Sequence, residues 1–567
     1  MYRIDPITLQ VLNNAFISVS EEMGSVIVRT ARSSIVREGK DFSTAILGPD
    51  GDLIAQASYI PAHLNTMSIA CKEYLKRYPS KELRPGDVVG SNDPLCGPHH
   101  FPDLLVVMPI FWKDELVAFA CNLAHHIDFG GRMGGVSGTS GGRLEPTEMY
   151  HEGLRLPPLK LYEEGRPNKA IFDIIKANVR VNEQVIGDIQ SQMSALYIGK
   201  KRIEEILAER GKETVFAFMQ EIMNYSEGRV RSNFDTIPDG EYEYLEYVDD
   251  DGVSPEPVEI KVKLSVKGSD IHVDFTGTAK QRKGNINMYL PGTICTTNVA
   301  LRYLCDPDIP HNDGCFRPIT INAPEGTIVN PTFPAGGLYH HPLHHRIVEA
   351  IFAALSRAVP DRIIAGSYGT SPVVLFGGFN PETGRRYVHS EGLPGGTGAR
   401  PNKDGISATA ANTSNCTIIP IEASERLFPI LYTRFELVPD SGGPGKYRGG
   451  LTYRREFQTL APETIVTVKS DRNKFPAYGL FGGKPGRVGE AIVNPGRDDM
   501  IRLPSKTMVV LKKGDIFSFM PAAGGGYGNP FERDPELVWN DVIEGKISIE
   551  SARRDYGIST RSPRSKE

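Results

Sequence analysis

Residues 91–135 read SNDPLCGPHHFPDLLVVMPIFWKDELVAFACNLAHHIDFGGRMGG, and no other stretch restricts the fold as tightly. Two apolar runs, 104–112 and 116–121, are separated only by Lys113, Asp114 and Glu115, the pattern of an antiparallel hairpin. Both runs are apolar at consecutive positions, so both faces of each strand need cover and the hairpin belongs in the interior. With the three polar residues as the loop, Trp112 faces Leu116, and counting back sets Asp103 opposite His125. Directly opposed residues have Cβ atoms about 5 Å apart. His100, three residues before Asp103 and across the bend set by Pro102, completes a candidate tripod of two imidazoles and one carboxylate. Such a tripod leaves coordination positions open, which a catalytic ion needs and a structural one does not. The competing reading makes these histidines polar residues satisfied at a domain surface. Asp93, His99, His126 and Asp128 flank the tripod and are candidates for orienting its members or handling protons.

At 567 residues the chain exceeds what one core supports, and roughly two to four domains are expected. A net charge of −5 without a basic cluster argues against a nucleic-acid partner. The seven cysteines are scattered and form no C-x-x-C, which suits free thiols in a reducing, cytoplasmic setting. No window approaches the ~18 to 20 apolar residues of a membrane span, so a soluble protein is expected.

In chain order, Asp5 and Pro6 signal a helix start, and apolar residues recur at helical spacing from Ile7 to Ile27. FSTAIL and LIAQA, around GPDG, predict a second hairpin with Asp41 at its mouth, where a carboxylate serves either as a cap or as a catalytic group. His63, in YIPAHLNTM, reads by itself as a core or capping histidine. Helical pattern fills 171–231, including a long helix ending at Gly211, and strand-like alternation begins near Asp235. The expected fold class is α+β and multi-domain: a long N-terminal helix packed with antiparallel hairpins, then mixed and β-rich C-terminal domains. The boundaries expected are 1–234 for the metal-site domain, 235–426 for a central mixed domain, and 427–567 for a β-rich domain with a terminal helical segment.

Three further motifs need weighing. GLYHHPLHHR places His340, His341, His344 and His345 just before an apolar helix. This group rivals the hairpin as a metal site, but it contains no carboxylate, and Pro342 is expected to prevent regular i, i+4 presentation. His344 and His345 are instead candidate substrate contacts. Gly138 to Gly142 matches G-x-S-x-G, yet glycines precede it and no helix follows, so a loop over the substrate is the better reading than a nucleophile elbow. No G-x-x-x-x-G-K-[ST] occurs, so any ATP is expected on a partner chain.

Taken together, DPITLQVLNNAF, VREGKDFSTAILGPDGDLIAQ, PAHLNTM, HHFPDLLVVMPIFW, AHHIDFGG, TEMYHEGLRLPP, DFTGTAKQRKGNIN, SGGPGKYRGGLTYRREF and GGGYGNPFERDPE resemble the B-type subunit of the hydantoinase/oxoprolinase family, nearly end to end. That family also includes the caprolactamase beta subunit and the large subunits of acetone and acetophenone carboxylases. The resemblance implies metal ligands at His100, Asp103 and His125, pocket positions at Asp41 and His126, and a recurring His63. HHPLHH departs from the polar segment usual in such relatives, which bears on the substrate more than on the fold.

The resemblance also implies a hetero-oligomer, such as a heterotetramer, with an A-type subunit that binds ATP and Mg²⁺ and phosphorylates a carbonyl oxygen. The B-type chain would complete the reaction with a divalent metal (Zn²⁺, Mn²⁺ or Fe²⁺), and Asp41 or His126 would accept a proton. Three functions follow: opening of a hydantoin, 5-oxoproline or lactam ring; ketone carboxylation; or a non-catalytic assembly role. A lean chain of 62.4 kDa favours the first.

Overall fold

The computed structural model describes residues 4–132 and 146–558. The two hairpin strands, Asp103–Trp112 and Glu115–His125, lie at the centre of a seven-stranded antiparallel sheet. On one side of them stand Phe42–Leu47 and Leu53–Gln56, and on the other Val88–Ser91, Leu159–Glu163 and Arg166–Pro167. The continuous apolar run follows from cover on both faces. Leu104, Val106 and Met108 pack with Phe16, Met23 and Leu196 on one face, while Leu105 and Val107 pack with Met67, Cys71 and Leu123 on the other. The first face is covered by helices Pro6–Thr30 and Asn182–Arg210, the second by Thr66–Arg77. Asp5 caps the first helix, accepting the Ile7 and Thr8 amides at 3.0 Å.

The turn differs from the expected three-residue loop. Only Lys113 and Asp114 form it, with φ of 49° and 66°, so that Trp112 pairs with Glu115 and Phe111 with Leu116. Positive φ at both residues gives a turn whose twist matches the strands. The register then shifts between Ile110 and Phe111, where Val117 is the extra residue, and beyond this irregularity Asp103 pairs with His125 as expected.

Helices Lys169–Asn178, Asn182–Arg210 and Lys212–Phe234 follow, the second ending at Gly211 with φ 79°. A four-stranded sheet (Ile319–Asn322, Asp270–Asp274, Val258–Lys267, Gly240–Val248) carries helix His341–Leu355 against its last two strands. Two more sheets complete the chain. One joins Arg386–Gly392 and Val373–Phe379 to Glu463–Lys469 and Lys506–Lys512, so strand pairing crosses residue 427. Apolar packing changes hands further upstream: one buried cluster spans 230–363 and another 374–519. The dense glycines of 395–450 and 479–526 are not merely turns between strands. They lie backbone against backbone, with Gly443 N donating to Gly524 O at 2.8 Å and Gly524 N to Gly450 O at 3.1 Å. A Cβ on Gly398 would sit 1.8 Å from the Ala365 carbonyl oxygen, and one on Gly524 1.8 Å from that of Thr397.

Helices Pro535–Ile543 and Ile549–Tyr556 close the described chain. No described helix is long and apolar enough to cross a membrane.

Candidate metal centre

His100, Asp103 and His125 meet at the end of the hairpin away from its turn. His100 Nε2 lies 3.0 Å from His125 Nδ1 and 3.2 Å from Asp103 Oδ1, and His125 Nδ1 is 3.1 Å from the same oxygen. Donors ~2.1 Å from a shared ion stand ~3.0 Å apart at right angles and ~3.4 Å apart at the tetrahedral angle, so this triangle fits one coordination sphere. His100 Nδ1 donates to the Leu338 carbonyl at 2.9 Å, which leaves Nε2 to face its two companions. Burial alone would raise the Asp103 carboxyl, but His100 and His125 hold it well below the usual range. Burial would lower the His100 imidazole, and Asp103 raises it instead. Without an ion the site therefore favours a protonated His100 beside the Asp103 carboxylate, and metal binding would release that proton.

Asp41 directly precedes the neighbouring strand Phe42–Leu47. Its carbonyl accepts the His125 amide at 3.0 Å, and its carboxylate acts on both His63 and His100. His63 is buried, its Nδ1 is 3.1 Å from Ser43 Oγ, and burial keeps its imidazole below its ordinary pKa. Behind Leu338 lies Glu152, whose Oε1 accepts the Leu338 amide at 2.9 Å. Burial pushes its carboxyl up to about 8. The folded chain thus keeps a proton that the unfolded chain releases, and stability falls as pH rises from the ordinary carboxyl range to about 8. Glu152→Gln is expected to flatten that fall, which thermal melts across the same window would read.

Other expected neighbours serve elsewhere. His126 points away from His125 into helix Asn182–Arg210, with Nε2 3.0 Å from Gln192 Oε1, and burial lowers its pKa. Asp93 is engaged by Arg155 at 2.6 Å and Asp128 by Arg180 at 2.7 Å, so both are structural ion-pair members and not orienting groups for the tripod. His345 sits beyond the first turn of its helix, 3.0 Å from Ser371 Oγ and packed on Tyr368, and is not brought to the tripod. Pro342, against expectation, does not disrupt the histidine spacing. It occupies the first turn of His341–Leu355, where its missing N–H is not needed, and the rings of His340 and His344 lie one turn apart at 4.8 Å. His99 joins those two rings instead of orienting the tripod. His341 also approaches, its ring 5.1 Å from that of His100.

A pocket of about 340 Å³ opens beside Phe101, lined also by Gly130, Gly131, Met149, Arg155 and Phe333. The G-x-S-x-G segment expected to cover substrate lies outside the described residues. Sequence reasoning missed Leu338, Glu152 and the approach of His340 and His341. Only TEMYHEG, as a recurring motif, pointed to Glu152.

The sequence profile described as hydantoinase B/oxoprolinase matches residues 5–530. An uncharacterized protein of Methanocaldococcus jannaschii is 38% identical over 98% of this chain and 96% of its own. The putative D-/L-hydantoinase B-type subunit of Pseudomonas sp. strain NS671 is 34% identical over 98% and 95%. Among solved structures, the ATP-dependent caprolactamase of Pseudomonas jessenii superposes with a TM-score of 0.91 at 27% identity, over 99% of this chain and 97% of that one.

Proposed function

The chain belongs to the hydantoinase B/oxoprolinase family, and on that premise we propose that it is the B-type subunit of a cyclic amide hydrolase. It completes the opening of a lactam, hydantoin or 5-oxoproline ring whose carbonyl a partner subunit has phosphorylated with ATP. The observation that carries this reading is the triangle of His100 Nε2, Asp103 Oδ1 and His125 Nδ1, with sides of 3.0 to 3.2 Å. These three would hold a divalent ion, Zn²⁺, Mn²⁺ or Fe²⁺ by donor type. When bound, such an ion polarises a carbonyl and brings the pKa of a bound water towards neutrality.

The chain's own residues supply the rest. Asp41, whose carbonyl accepts the His125 amide, is the group we assign to take a proton from the attacking water. His63, neutral through burial and held by Ser43, offers a hydrogen-bonding imidazole on the same side. His126 stands one layer away, against Gln192, and serves to fix the strand end. Phosphorylation of the carbonyl oxygen removes the amide resonance that makes direct attack slow, so this site needs to activate only a modest nucleophile. The absence of a phosphate-binding G-x-x-x-x-G-K-[ST] supports placing ATP and its Mg²⁺ on an A-type partner, in a cytoplasmic hetero-oligomer.

The test is reconstitution with the cognate A-type subunit and ATP, supplying lactams, hydantoins and ketones with and without bicarbonate. Ring opening independent of bicarbonate is the expected result. Turnover of ketones that strictly requires bicarbonate would replace this reading with a carboxylase.

A further inference from the structure

A second histidine group lies beside the tripod. His99, His340 and His344 are all buried, and one ring nitrogen from each lies within 4.8 Å of the others. The group is assembled from segments distant in sequence: His99 precedes the central hairpin, and the other two stand one turn apart at the start of helix His341–Leu355. We propose that these three imidazoles form a second site for a divalent transition-metal ion, next to the ion held by His100, Asp103 and His125.

Hydrogen bonding fixes which nitrogens of His340 and His344 carry protons. His340 Nδ1 lies 2.8 Å from the Gly337 carbonyl oxygen, which only accepts, so Nδ1 bears the hydrogen and Nε2 the lone pair. His344 Nδ1 contacts Thr296 Oγ1, whose own proton goes to the Gly292 carbonyl at 2.7 Å. That hydroxyl must therefore accept, and His344 likewise keeps its lone pair on Nε2. His99 Nε2 is 2.8 Å from Thr66 Oγ1, and with that hydroxyl's proton directed to Cys295 Sγ, 3.0 Å away, Nε2 donates and Nδ1 is left as the ligand atom. Each ring is thus anchored through one nitrogen, and its other nitrogen has no hydrogen-bond partner among the described residues, the arrangement of metal-bound histidines. Three imidazole nitrogens that converge without a hydrogen-bond donor among the described residues make a donor set suited to a cation.

Three neutral nitrogen donors select Zn²⁺, Co²⁺, Ni²⁺ or Cu²⁺ and reject Mg²⁺ and Ca²⁺, which want oxygen. The two sites are contiguous. His99 and His100 are consecutive, the His340 ring lies 5.0 Å from that of His100, and His341, stacked on His340, has an Nδ1 without a partner among the described residues. As a two-ion centre, one ion would polarise the activated carbonyl carbon's substituent oxygen while the other lowered the pKa of the attacking water. That role rests on the proposed hydrolysis, whereas the site itself rests on its own geometry.

The experiment is titration of the chelator-stripped full chain with Zn²⁺ by calorimetry and with Co²⁺ by visible absorption. Two equivalents per chain are expected. His344→Gln and His99→Gln should each bind one, His125→Gln should bind one, and the His125→Gln/His344→Gln double variant none. A single equivalent that is lost in His125→Gln and unaffected by His344→Gln overturns the second site and leaves the tripod standing. A single equivalent with the reverse pattern supports the second site and sinks the tripod. Two equivalents untouched by His99→Gln and His344→Gln mark the second ion as adventitious and also overturn the proposal. Should either variant lose its circular dichroism, the wild-type count still decides, because fewer than two equivalents contradicts a pair of sites.

Discussion

In the reconstituted complex, His125→Ala is expected to lower kcat for ring opening by on the order of 10³-fold, about 4 kcal/mol of transition-state stabilisation. The same loss should follow removal of metal from the wild type by a chelator. The imidazole sits at the last residue of its strand and is 13% exposed, so it contributes little to the apolar core and melting should shift by only a few degrees. Measuring kcat beside the melting temperature separates the readings. Turnover left intact with a lowered melting temperature would assign the ion to scaffolding, and the chain to assembly.

The second large effect lies behind the histidine helix. Arg346 is fully buried and donates to Asp471 Oδ1 at 2.5 Å, the Tyr247 carbonyl at 2.9 Å and the Gly369 carbonyl at 2.7 Å. Glu349 pairs with Arg472 alongside, and Lys506 reaches Asp471 at 3.0 Å. The network joins the helix that carries His344 to the sheet of Gly240–Val248 and to the segment after strand Glu463–Lys469. Removing one member of such a buried set strands charges and carbonyls without partners. Arg346→Met is therefore expected to destabilise the chain by about 3–5 kcal/mol, read from urea unfolding followed by fluorescence. A change below about 1 kcal/mol would mean that the network's desolvation penalty cancels its attraction and that the helix is held by apolar packing alone.

What the sequence made legible was whatever is local along the chain. The tripod spans His100 to His125, and its members meet because two apolar strands and a short turn leave few registers. Even there, two departures were hidden: the left-handed Lys113–Asp114 pair shortens the loop, and the extra Val117 restores the register. The side on which His126 falls follows from strand alternation, since neighbours of a ligand face away from it. The meeting of His99 with His340 and His344 had no local signal, being set by the packing of helix His341–Leu355 against segments more than two hundred residues earlier. Pro342 looked disruptive because its place in the first helical turn was not visible from composition. The glycine-dense stretches read as turns because nothing in a single sequence distinguishes a loop from backbone packed on backbone. Strand pairing across residue 427 was hidden for the same reason, with glycine-rich connections on both sides of a shared sheet.

Anomalous X-ray scattering at the absorption edge of a metal supplied to crystals of the full chain tests the central claim most directly. A peak is expected within about 2.3 Å of His100 Nε2, Asp103 Oδ1 and His125 Nδ1, lost in Asp103→Asn. A wild-type map with ions bound elsewhere and none among these three atoms would contradict it.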